Sequence, residues 1–130
     1  MKLNPETQEI WAHEHGPKGG DEINIIVAGD NYGWPVVSHG FEYGTEDKVS
    51  EHESLPGFND PEWVWIPSIA PSGMDFYPVG SDDKMMFPDL QGRLLVGSLK
   101  FRRLYSISIN EDGLPAVSYT HLTLPTIYSV

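Results

Sequence analysis

The amino-acid sequence predicts an all-β chain of short antiparallel strands, and three observations carry that expectation. Gly (13) and Pro (11) punctuate the 130 residues too often for long helices. Tyr105, Ile107 and Ile109 alternate with Ser106 and Ser108, the period-two pattern of a strand with one buried face. Two stretches also echo one another. Pro5-Glu6-Thr7-Gln8 leads into a run starting at Ile10, as Pro88-Asp89-Leu90-Gln91 leads into one starting at Leu94. Each run reaches a polar or glycine-rich tip and returns through an Ile-containing strand, as repeated propeller blades do.

The first unit runs from Glu9 to Glu14, through the tip His15-Gly16-Pro17-Lys18-Gly19-Gly20, into Asp21 to Val27. It reads as a hairpin with a long loop, with Ile23, Ile25 and Val27 on one face and Glu22, Asn24 and Ile26 on the other. Gly29-Asp30-Asn31 makes a turn, since these residues tolerate the backbone angles of a tight reversal. From about Gly33 to Asp60 the pattern fades into a polar, acid-rich stretch broken by Pro35 and Pro56. A loop of that length inside a domain is functional or disordered. Two strand-like runs follow, Trp63 to Pro67 and Gly73 to Tyr77, around the turn Ala70-Pro71-Ser72-Gly73. The last hairpin is Leu94 to Leu99, the tip Lys100-Phe101-Arg102-Arg103, and Leu104 to Ile109.

Charge and composition exclude several roles. Lys plus Arg number 8 against 19 Asp plus Glu, a formal net charge of -11, which repels phosphate backbones and anionic lipid and argues against a nucleic-acid partner. There is no cysteine, hence no disulfide, thiolate metal site or catalytic thiol. No apolar run approaches the ~20 residues of a membrane span. The N-terminus, Met-Lys-Leu-Asn-Pro-Glu, lacks the apolar core of a signal peptide. The acidic clusters Glu42 to Asp47 and Glu51 to Glu53 read as a solvated loop. The four tryptophans, Trp11, Trp34, Trp63 and Trp65, read mostly as core or blade-interface packing. Taken alone, the Gly/Pro tip reads as a structural turn, and Lys100, Arg102 and Arg103 as an exposed one.

Four ordered blocks change that reading. They are His13 to Asn24, Asn31-Tyr32-Gly33-Trp34-Pro35-Val36, Trp65 to Met74, and Leu95-Val96-Gly97-Ser98-Leu99-Lys100. Together they resemble the glucose/sorbosone dehydrogenase family, soluble quinoproteins that oxidise aldose sugars with pyrroloquinoline quinone (PQQ). The resemblance covers about Asn4 to Ile109. It implies a fragment of a six-bladed β-propeller, about two blades of antiparallel strands, within residues 1–115. It further implies that Gly16 and Pro17 offer main-chain carbonyls to a Ca²⁺ ion, which takes such oxygens readily. By the same resemblance His15 lines the PQQ cofactor, Asp21 sits at the pocket edge, Lys100 faces the anionic quinone and Ser68 is a neighbouring polar contact.

The resemblance also implies what this chain lacks. The family's His-Arg-Asn motif would fall before Met1, and the general-base His and a later pair of Arg residues match nothing here, so no catalytic residue is assigned. None of His13, His15, His39, His52 or His121 matches the base position. Residues 116–130 do not match the family and resemble the translation of a sequencing adapter, so they are expected to be a non-native, peripheral tail. The chain is thus expected to be a truncated piece of a periplasmic or secreted enzyme with a sugar substrate and an external electron acceptor. The competing reading is a non-catalytic propeller that binds sugar or protein partners; the Gly16-Pro17 and Lys100 tips together favour the enzyme.

Overall fold

In the computed structural model, which describes residues 1–81 and 85–123 (the last three by main chain alone), eight strands form two four-stranded antiparallel sheets. The first has the order β1 (Lys2–Leu3), β2 (Ile10–Glu14), β3 (Asp21–Ile26), β4 (Trp63–Trp65). The second has the order β5 (Pro71–Phe76), β6 (Leu94–Ser98), β7 (Arg103–Ile109), β8 (Pro115–Thr123). These are two blades of a β-propeller. Apart from one 3-10 turn at Pro88–Leu90, the described residues hold no helix. Among the described residues no helix is long and apolar enough to cross a membrane.

The echoing hairpins occupy the same place in each blade, as the second and third strands. In the first, Trp11 pairs with Ile25 and His13 with Ile23; in the second, Leu94 pairs with Ile107 and Val96 with Tyr105. The apolar face of β7 is buried as expected, with Ile107 fully buried and Tyr105 and Ile109 packed beside it. The opposite face is not open to solvent, because Ser106 is also fully buried and accepts from Arg93 at 3.3 Å. The two runs on either side of residues 66–70 do not pair with one another. β4 joins β3 and β5 joins β6, so residues 66–70 cross from one blade to the next. The expected turn at Ala70 to Gly73 is mostly strand, because β5 starts at Pro71 and carries an irregularity before Met74.

The buried core lies between the sheets. Trp11, Ile23 and Trp65 from the first blade meet Met74, Leu94, Val96 and Ile107 from the second, with Ile69 of the crossing segment among them. Trp11 meets Phe76 edge-on at 5.4 Å, and Trp65 meets Tyr105 at 6.3 Å, the tilted geometry that ring quadrupoles favour. Trp34 is the exception among the tryptophans, at 63% exposed. Asn24 falls on the Glu22 face of β3, yet it is buried, and Tyr32, Trp34, Val37 and Ser38 share a cavity with Glu22 on that face.

β8 pairs with β7 from Ile109↔Pro115 to Arg103↔Thr123, so the strand runs through the boundary placed between residues 115 and 116. Val117 and Tyr119 on it are largely exposed. Residues 124–130 of the proposed tail lie outside the described residues.

A core shared between blades makes a single large-to-small change costly. Leu94→Ala should destabilise the chain by about 2–5 kcal/mol in urea unfolding, and a cost under about 1 kcal/mol would show that the blades do not share a core.

Candidate functional site

The tips of the two echoing hairpins converge. A cavity of about 400 Å³ is lined by His15, Gly16, Pro17, Asp21, Ser68 and Lys100, so all six residues singled out in the sequence face one space. Lys18, Gly19, Tyr43, Pro67 and Ala70 complete its wall.

The first tip is shaped by backbone contacts that side chains would block. A Cβ on Gly16 would collide with the Gly19 carbonyl and with Gly20, so the loop curls back on itself only because Gly16 has none. Pro17 in turn packs its ring where a Cβ of Gly40 would lie. Main-chain bonds between Lys18 and Phe41 in both directions, at 3.1 and 2.9 Å, tie the tip to the acidic loop. The Lys18 ammonium reaches Glu46 at 2.7 Å, and Tyr43 donates its hydroxyl to the Pro17 carbonyl at 2.9 Å. Sequence reasoning missed Tyr43 and Gly40, since both sit in the patternless stretch and only tertiary folding brings them to the tip.

The second tip hangs from the same crossing segment. Leu99 N–H donates to Ala70 O at 3.0 Å and Lys100 N–H to Ile69 O at 3.3 Å, while Ser98 Oγ–H donates to Ile69 O at 2.6 Å. The Lys100 side chain is exposed, with its ammonium 5.3 Å from the Phe101 ring centre.

His15 also bridges the blades: Nε2 lies 2.6 Å from the Pro71 carbonyl. A carbonyl accepts, so Nε2 carries a proton, which makes Nδ1 the acceptor of the matching neutral tautomer. Burial holds the neighbouring His13 below the ordinary imidazole range, against an opposing hydrogen bond to the Ser72 main chain.

Asp21 departs most from its expected place. It is 1% exposed, and both its oxygens are engaged within the protein. Gly16 N–H and Ser68 Oγ–H donate to Oδ1, and Ile69 and Ala70 N–H donate to Oδ2, each at 2.8 Å. It borders the cavity while lying almost wholly buried. Ser68, by donating to Asp21, turns lone pairs and no proton toward a ligand.

The residues fit the group that the resemblance implies. A tip that cannot bear a side chain at Gly16 brings bare main chain to the cavity wall, and main-chain oxygens are donors that a hard cation would take. Lys100 and the His15 imidazole line the same cavity, a cation and a polar ring of the kind an anionic planar ligand would meet. Among the described residues no cluster of His, Asp and Glu offers a side-chain metal site.

A second cavity, of about 220 Å³, shares His15 and Gly16 and adds Glu14, Glu22, Tyr32 and Trp34. Glu14 and Glu22 face each other across the β2–β3 ladder, with the Asn24 amide 3.2 Å from one and 3.5 Å from the other. Burial, reinforced by the Glu14 charge and opposed by Asn24, pushes Glu22 up to about 7.

With this geometry in place, similarity to known proteins is informative. A family model for glucose/sorbosone dehydrogenases matches residues 1–124. The aldose sugar dehydrogenase YliI of Escherichia coli is 42% identical over 113 residues, covering 86% of this chain and 29% of that protein. Among solved structures, a glucose dehydrogenase superposes with a TM-score of 0.80 at 37% identity, over 93% of this chain and 34% of that one. The PQQ-bound form of an aldose sugar dehydrogenase from Streptomyces coelicolor superposes with a TM-score of 0.60 at 26% identity, over 91% of this chain and 28% of that one. The chain spans about a third or less of the length of each.

Glu22 makes the stability of this region depend on pH. Its folded pKa of about 7 stands above the ordinary 4.5, so the folded state holds the proton more tightly. Stability therefore falls as pH rises from about 4.5 and reaches its floor above about 7. Glu22→Gln should be more stable than the parent by about 1–2 kcal/mol at pH 8, allowing for solvent around the half-buried pair, and equal to it near pH 4.5. Equal urea midpoints at both pH values would contradict this.

Proposed function

The chain belongs to the glucose/sorbosone dehydrogenase family, and on that footing we propose that it forms part of the cofactor face of a PQQ- and Ca²⁺-dependent oxidoreductase acting at C1 of aldose sugars. The observation that supports this most is the convergence of His15, Gly16, Pro17, Ser68 and Lys100 on one 400 Å³ cavity from two separate tips. A bare scaffold gains nothing from that convergence.

In this reading each residue has a distinct task. The carbonyls of Gly16 and Pro17 hold the Ca²⁺, with other oxygens completing the roughly six to eight that the ion takes. The Lys100 ammonium neutralises an anionic edge of the cofactor, a role suited to a compact point charge on a flexible stem. His15, oriented by Pro71, walls the cavity and offers Nδ1. Tyr43 closes the side formed by the acidic loop. The quinone supplies the hydride-accepting chemistry that side chains lack. The base that takes the sugar hydroxyl proton is assigned to none of this chain's histidines. Electrons leave to an external acceptor, and the setting is the periplasm or the cell exterior.

The 130-residue chain alone should give no aldose-dependent dye reduction with PQQ and excess Ca²⁺. A chimaera in which residues 1–115 replace the matching segment of the E. coli aldose sugar dehydrogenase should turn over sugar. Lys100→Ala in that chimaera should lower kcat/KM by about tenfold or more, as expected when a charge facing an anionic ligand is removed. Sugar oxidation by the isolated chain, or an unaffected Lys100→Ala chimaera, would refute the reading.

A further inference from the structure

We propose that Asp21 is a positioning residue: without touching a ligand, it sets the direction of the tip carbonyls and thereby the cation affinity of the tip. The inference rests on the cofactor reading above and goes beyond it by assigning a buried group to the site's assembly.

The argument starts from saturation. An ionised carboxylate has about four acceptor positions. Asp21 fills four with the donors of Gly16, Ser68, Ile69 and Ala70, so nothing remains for a ligand. The bond from Gly16 is the consequential one. Peptide units are planar, so pinning an N–H also orients the carbonyl bonded to the same nitrogen. Asp21 pins the unit ahead of Gly16. Lys18 N–H, bound to Phe41 O at 3.1 Å, pins the unit that carries the Pro17 carbonyl. The unit between them carries the Gly16 carbonyl, and Pro17 gives it no N–H of its own to anchor. Its direction is therefore set by its two neighbours. The Asp21 bond is thus one of the two supports on which the Gly16 carbonyl hangs.

The partition of donors makes the consequence of an isosteric change specific. In Asp21→Asn, one oxygen becomes an NH2 group that donates. Facing Ile69 and Ala70, it would oppose two main-chain N–H groups. Facing Ser68 and Gly16, it opposes only one, because the serine hydroxyl can rotate to accept. The amide therefore settles on the Oδ1 side and leaves Gly16 N–H unpaired. The variant frees the tip while keeping the crossing segment tied.

The test uses the whole 130-residue chain, with residue-resolved amide exchange and a Ca²⁺ titration followed by amide chemical shifts. In Asp21→Asn, Gly16 N–H should exchange about tenfold faster or more, Ile69 and Ala70 should keep their protection, and Ca²⁺-dependent shifts at residues 15–18 should be lost. Ile107→Val, a mild core change far from the tip, should keep the Ca²⁺ response and so separate positioning from general destabilisation. Should the Asn variant not fold, Asp21→Glu keeps both oxygens but moves them by a methylene, and the same two signals should fall together. Unchanged Gly16 exchange and an unchanged Ca²⁺ response would overturn the proposal. A parent chain without Ca²⁺-dependent shifts would overturn the cation reading of the tip, a failure distinguishable because Gly16 exchange requires no metal.

Discussion

Three residues between the blades, Ser68, Ile69 and Ala70, join the two halves of the site through six hydrogen bonds. On one side their donors converge on the buried Asp21 of the first blade. On the other, the carbonyls of Ile69 and Ala70 accept from Ser98, Leu99 and Lys100 of the second. Ile69 anchors the segment by burying its side chain in the common core at 2% exposed. A buried carboxylate is costly unless every lone pair is used, and Asp21 meets that condition by organising the main chain around it. Ala70 is held at φ 52, a conformation that disfavours a side chain. Its N–H and its carbonyl are both bonded there, one to each blade, which over-determines the geometry.

The core and the site are therefore coupled but chemically separate. Apolar burial between Trp11, Ile23, Leu94, Val96 and Ile107 brings the sheets face to face without regard to direction. The polar seam at Asp21, Ser98 and the crossing segment then selects one relative placement, since a shift by one residue would leave several donors unpaired. The cavity opens at the end of that seam, where the strands have ended and the tips supply backbone together with the side chains of His15 and Lys100.

Much of this was legible in the sequence because strands and tips write themselves locally. The alternation from Tyr105 to Ile109 marks the apolar face of β7, though not the burial of Ser106 on the other, and the glycine-rich tip after Glu14 marks a turn whatever surrounds it. The resemblance then named the six residues that meet in the cavity. What stayed hidden is tertiary. β1 is two residues long, and β8 is read as tail from its sequence, so neither announces a strand. Asn24 looks solvent-facing, yet it is buried. Asp21 looks like a rim residue because a carboxylate next to a glycine turn usually faces water; only its four donors, three of them about fifty positions along the chain, show that it is interior. Tyr43 carries no local signal, because its partner, the Pro17 carbonyl, is 26 residues away.

The crossing segment also divides the molecule into parts that tolerate change unequally. The separation between Lys100 and the Gly16-Pro17 tip is spanned by main-chain bonds and one saturated carboxylate, so substitutions elsewhere can alter the cavity's lining without altering its width. Apart from Tyr43, which reaches the Pro17 carbonyl, the segment from Glu42 to Glu53 meets the tip from outside through exposed ion pairs such as Lys18–Glu46 that contribute little to stability. Diversity in this architecture can accumulate there at small energetic cost, leaving a fixed gauge at the centre and a replaceable rim around it.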